Sequence, residues 1–121
     1  MKLVEKAWGS EQWIVNREYC GKILNLKKGY RCSVHKHKLK DETFLVIEGT
    51  VLMELGKKAW IMGQWQSVHV PRNSFHRFSG LEDSKIIEFS TKHRESDSYR
   101  KTESGAFDLQ EALEKLERET K

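Results

Sequence analysis

Nine short apolar runs, each closed by a turn signal, constrain this chain more than any other feature. They fall at residues 12–15, 22–26, 31–37, 43–47, 51–55, 59–62, 67–70, 75–78 and 85–89. Between them stand Lys28-Gly29, Glu48-Gly49, Gly56-Lys57, Met62-Gly63, Pro71-Arg72-Asn73 and Ser79-Gly80. Glycine and asparagine tolerate the left-handed backbone of tight turns, and proline presets φ. Runs this short suit strands better than helices. At even spacing they predict an antiparallel sandwich or barrel. No repeat or linker interrupts residues 1–90, and 121 residues suffice for one domain with its own core.

No segment approaches the roughly 18 apolar residues of a membrane span, so no membrane contact is expected. The N-terminus, Met1-Lys-Leu-Val-Glu-Lys6, is charged and lacks an apolar leader. Cys20 and Cys32 are therefore expected to be free thiols in a cytoplasmic protein. The formal net charge is +4, but residues 107–121 hold three basic and five acidic side chains. The remaining 106 residues carry 19 basic and 13 acidic groups, or +6. A basic body can attract a small anion or a nucleic acid. The cations alternate with strand-forming residues and match no nucleic-acid motif, which argues for the small anion.

The chemistry is concentrated in four residues. His35 and His37 stand two apart, Glu42 follows five residues on, and His76 comes later, after Gly63, Pro71 and Asn73. Side chains two apart on a strand share a face. Read that way, Arg31, Ser33, His35 and His37 line one face and Cys32, Val34 and Lys36 the other. Three imidazoles and a carboxylate suit one divalent transition metal: Mn, Fe, Co, Ni or Zn.

These residues resemble the two cupin motifs. Gly29-x5-His35-x-His37-x4-Glu42-x6-Gly49 matches the first pattern at every fixed position. The second is looser: Gly63 lies two residues too far from Pro71, Asn73 replaces a glycine, and Gly80 replaces the final asparagine. Asparagine at position 73 is compatible with a left-handed turn. The resemblance implies an all-β, antiparallel jelly-roll β-barrel, usually a homodimer, with metal at His35, His37, Glu42 and His76. Lys6-Ala-Trp8-Gly9-Ser10, Pro71-x3-Phe75-His76-Arg77-Phe78 and Ile86-Ile87-Glu88-Phe89 are similar to the cupin domain of type II mannose-6-phosphate isomerases. That likeness implies a sugar or sugar-phosphate isomerase or epimerase.

Such chemistry needs a metal to polarise a carbonyl, a base to move a proton, and a cation to hold an anionic substrate. Arg31, on the inferred histidine face beside Ser33, is the first choice of anion clamp, with Lys38 and Arg77 after it. Glu88 is the candidate base, provided that it rather than Ile87 and Phe89 faces the pocket. Trp8 offers a surface for a sugar ring. His69 alternates with Val68 and Val70 and is expected outside. The same ligands also suit a non-haem iron oxygenase, or a non-catalytic sugar-binding or regulatory cupin.

Residues 91–106 form a polar excursion closing the barrel domain at 1–106, and Tyr99 and Arg100 within it could close over the barrel mouth. Residues 107–121 follow as a C-terminal helix, with Asp108 as N-cap. Leu109, Ala112, Leu113 and Leu116 make a stripe to pack on the barrel or a partner. Glu111–Lys115 and Glu114–Arg118 are spaced to support the helix.

Overall fold

A computed structural model describes residues 1–119. In chain order the strands are β1 (Lys2–Lys6), β2 (Gly9–Asn16), β3 (Tyr19–Leu26), β4 (Tyr30–Arg31), β5 (His35–Lys36), β6 (Glu42–Glu48), β7 (Val51–Leu55), β8 (Lys58–Met62), β9 (Ser67–Val70), β10 (His76–Gly80), β11 (Ser84–Thr91), β12 (Tyr99–Arg100) and β13 (Gly105–Ala106). One helix, α1 (Leu109–Glu119), follows. Every strand pairing is antiparallel. The fold is the all-β jelly roll that the turn spacing and motifs anticipate. No described helix is long and apolar enough to cross a membrane.

One sheet runs β1-β2-β3-β11-β6-β9. The other is built around β10, which pairs with β7 along one side and with β4 and β5 along the other. Period-two alternation turns Leu24 and Leu26, Phe44 and Val46, Val51 and Met53, Phe78 and Ile86 into a shared core. Burial of each such side chain contributes about 1.5–3 kcal/mol. Trp8 meets Phe78 edge-on at 5.5 Å, and Phe44 meets Phe78 at 5.7 Å. Cys20 and Cys32 are buried free thiols.

Two turns show why their residues are needed. Asn73 has φ 66°, the left-handed conformation expected of it. Gly80 stands where the motif pattern has asparagine, and a Cβ there would lie 2.5 Å from the Lys27 carbonyl oxygen. Glycine lets β10 run against that backbone.

The expected strand 31–37 is interrupted. Arg31 pairs with Ser79 and His35 with His76. Four steps along one chain thus oppose three along its neighbour, which is a one-residue bulge. The extra residue inverts the alternation, so Arg31 does not share a face with His35, and Cys32 turns into the core.

The polar excursion at 91–106 carries two short strands. β12 pairs with β5, and β13 with β4. The Ser104 and Thr102 hydroxyls accept the Ser33 and Val34 amides at 2.9 and 2.8 Å. Both bonds lie at the bulge, where ladder partners are lost.

In α1, Asp108 Oδ1 accepts the Glu111 amide at 2.9 Å, so the N-cap forms. The apolar stripe is half-buried, and no helix residue is fully buried. The spaced contacts are Gln110–Glu114 and Lys115–Glu119, not the Glu111–Lys115 and Glu114–Arg118 pairs expected.

Candidate metal centre

His35 on β5, His37 just beyond it and His76 on β10 converge, with ligand atoms within 4.8 Å of one another. Each ring is oriented through Nδ1 by a backbone carbonyl. His35 donates to Ser33 O at 2.8 Å, His37 to Asp97 O at 2.5 Å and His76 to Ser74 O at 3.0 Å. A carbonyl can only accept, so each Nδ1 carries the proton and each Nε2 keeps its lone pair.

Glu42 completes the set from the start of β6. Its Oε1 lies 3.6 Å from His37 Nε2 and its Oε2 lies 3.3 Å from His76 Nε2. Glu42 Oε2 and His76 Nε2 are both buried without a hydrogen-bond partner. Two lone pairs facing each other in the interior are costly unless a cation lies between them. A nitrogen and oxygen donor set with these orphaned atoms fits a divalent transition ion.

The electrostatics favour neutral rings and an anionic carboxylate. Burial, then neighbouring His76, pushes His35 down to about 3. Burial also lowers His37, despite the pull of Glu42. Burial alone would raise Glu42, but the Lys40 ammonium, 3.0 Å from Oε1, outweighs it and holds the carboxyl low.

A cavity of about 370 Å³ opens over this cluster. Of the sequence candidates, Ser33, Trp8 and Glu88 line it with His35, His37 and Glu42. Glu88 is buried and Phe89 is exposed, so β11 turns its carboxylate inward. Glu88 Oε2 accepts from Lys40 Nζ at 3.2 Å and Ser90 Oγ at 2.8 Å. Tyr99 and Arg100 divide: Arg100 lines the cavity, while Tyr99 packs against Lys38.

The expected anion clamps lie elsewhere. Arg31 and Arg77 line a separate groove under α1, because the bulge turns Arg31 away and Arg77 alternates with the inward His76 and Phe78. Arg77 makes a two-pronged contact with Glu54 at 3.1 and 3.2 Å. Arg31 lies over Phe107, 5.4 Å from the ring centre. Lys38 Nζ sits 4.3 Å from the centre of the Tyr99 ring. His69 is outside, 2.7 Å from Asp41 Oδ1.

Several residues of the site escape sequence reasoning. Lys40 is buried, with Nζ 3.0 Å from Glu42 Oε1 and 2.9 Å from His93 Nδ1. Its carboxylate neighbours, Glu88 foremost, overcome the effect of burial and raise its pKa. The only signal was a run of seven cations without an acid from Lys22 to Lys40. Lys22, at the other end of that run, is buried against Glu11 at 3.4 Å. Asp97 had no signal. Its carboxylate accepts the amides of Lys38, Leu39 and Lys40 at 2.8–3.1 Å, while its carbonyl orients His37.

Comparison with known proteins agrees with this architecture. KdgF from Halomonas sp. superposes with a TM-score of 0.73 at 16% identity, over 79% of this chain and 90% of that one. CapF, a capsular polysaccharide assembling protein from Staphylococcus aureus, gives 0.72 at 18% identity, over 82% of this chain and 33% of CapF. A variant of Bacillus subtilis oxalate decarboxylase OxdC gives 0.72 at 15% identity, over 83% of this chain and 30% of OxdC. The chain thus spans about a third of the two longer proteins. At these identities the likeness concerns the fold, and another structure it resembles, from Shewanella frigidimarina, is an RmlC-like cupin. No curated protein sequence matches. The family described as mannose-6-phosphate isomerase C-terminal matches residues 2–103, and with the cupin fold around it the chain belongs to that family.

Proposed function

We propose that the protein is a metal-dependent isomerase or epimerase acting on a sugar or sugar phosphate. One observation carries the reading: Lys40 ties Glu88, the candidate base, to Glu42, the candidate metal ligand, at 3.2 and 3.0 Å within one cavity. His35, His37, His76 and Glu42 would hold the ion. When bound, a divalent ion there would polarise a carbonyl and its neighbouring hydroxyl. Glu88 would take a proton from one carbon and return it to the next. Among the described residues its hydrogen bonds, from Lys40 and Ser90, fall on Oε2, so Oε1 is the oxygen left to meet substrate. Lys40 and Ser90 fix its orientation. Trp8, Phe44 and Phe78 form an apolar wall that limits water.

The family match supports the isomerase class. A homodimer in the cytoplasm is part of the proposal, on the cupin resemblance and the two free thiols. The test is turnover by metal-loaded protein of a panel of aldoses and their phosphates, with dissolved oxygen monitored. Isomerised product without oxygen uptake, abolished by Glu88→Gln, is the expected result. Oxygen consumption, or no product with metal confirmed present, would reject the isomerase reading.

A further inference from the structure

Arg31, Arg77 and Lys38 all lie outside the cavity, so none of them can hold an anionic substrate beside the histidines. Taking the site to be that of the proposed isomerase, we infer that Arg100 fills the role. It is the specificity-determining residue that anchors the phosphate of a sugar-phosphate substrate at the cavity mouth.

The backbone aims it there. β12 pairs with β5 so that Arg100 stands directly across from His35. Residues opposed in this way share a face of the sheet, with Cα atoms about 4.5–5.5 Å apart. Arg100 therefore lines the cavity on the side of the histidines, while Tyr99 turns to Lys38 outside. The chain is fastened on both sides of it. Before it, the Asp97 carboxylate accepts the Lys38 and Lys40 amides at 2.8 and 3.0 Å. After it, the Lys101 amide donates to Val34 O, and Thr102 Oγ1 accepts the Val34 amide, both at 2.8 Å. An arginine on fixed backbone has only its own side chain to order when a ligand arrives.

Its charge is also free. Lys22 is engaged by Glu11 at 3.4 Å, and Lys40 by Glu42 and Glu88 at 3.0 and 3.2 Å. Among the described residues, the Arg100 guanidinium meets no carboxylate and no hydrogen-bond acceptor. Glu95, which shares the lining, faces His93 at 3.3 Å instead. Glu5 and Glu103 line the cavity too, but both are exposed, where water and salt screen their repulsion. A planar fork with its donors open matches the oxygens of a phosphate. Lys6, without an ion pair among the described residues, adds a second positive charge to the lining. Arg100 is exposed and Glu88 buried, so a phosphate held at the mouth leaves the carbon end of the substrate to reach the base within.

The test is calorimetry on metal-loaded protein with D-mannose, D-mannose 6-phosphate and inorganic phosphate. The parent should bind the sugar phosphate at least about ten-fold tighter than the free sugar, the scale of a charge-assisted contact, with inorganic phosphate competing. Arg100→Ala should bring the two sugars to within about two-fold of each other, and metal titration verifies that its centre is intact. Arg100→Lys keeps the charge but not the fork and should recover part of the preference. A preference that survives in Arg100→Ala, or a parent protein without one, would overturn the inference. A preference lost in Arg100→Ala, with no isomerised product from the parent, would leave Arg100 in place and remove the isomerase reading. Product from the sugar phosphate, with the preference intact in Arg100→Ala, would do the reverse.

Discussion

Arg31 and His35, four residues apart on one stretch of chain, face opposite sides of their sheet. Arg31 sits across from Ser79 and His35 across from His76, so one extra residue lies between them. The bulge sends one side chain to the groove under α1 and the other to the histidine cluster.

Arg31→Ala should therefore leave metal affinity within about two-fold, as expected for sites without shared partners. Metal titration of the purified variant checks this. A large loss would return Arg31 to the site.

His76→Ala removes one of the three converging imidazoles. Metal affinity should fall by more than about 100-fold, beyond the 10–100-fold typical when an outer partner of a ligand is lost. Unchanged stoichiometric metal, by elemental analysis of untagged protein, would refute the assignment.

Asp97→Ala leaves the Lys38, Leu39 and Lys40 amides without their acceptor. Stranding the buried Lys40 amide costs about 1–3 kcal/mol, and a loosened His37 should lower metal affinity by about 10–100-fold. Asp97→Asn keeps one acceptor oxygen and should recover part of both. Denaturant midpoints and metal titration on the pair of variants read the two effects separately.

Lys40→Met leaves Glu42 and Glu88 buried without their shared cation. Breaking a buried charge network in this way costs about 3–5 kcal/mol. Added metal should restore part of the loss by neutralising Glu42. An unfolding midpoint equal to that of the parent protein would show that the network contributes nothing.

Acid should destabilise the metal-free protein early. Burial and then His76 push His35 from 6.5 down to about 3, and burial and then Lys40 push His93 from 6.5 down to about 4. The unfolded chain thus binds protons that the folded chain refuses. Stability is fully present above pH 6.5 and falls as the pH drops toward 4, by at most about 1.4 kcal/mol per pH unit for each ring. Urea midpoints that stay flat across this window would contradict the two shifts.

Much of the fold was legible because its signals are local. Turn residues at even spacing located most long strands, and the runs 51–55 and 67–70 coincide with β7 and β9. Asp108 announced the helix start. β1, β12 and β13 left little trace, since their residues are polar or edge-lying and gain their structure from pairing with β2, β5 and β4. His35, His37 and His76 could be named together because their spacing is a property of the chain.

The one-dimensional pattern by itself determined an antiparallel β domain with three histidines and a glutamate poised as donors. Those properties follow from backbone preference and residue type, which each stretch of chain carries with it. Which cations reach the cavity was decided only in three dimensions. The bulge at Cys32–Val34 reversed the side of Arg31. The fold also drew Glu88, 48 residues along the chain, to Lys40 beside Glu42, and brought Asp97 from 60 residues away to hold His37. Facing depends on register and long-range pairing, and neither is written in a local run of residues.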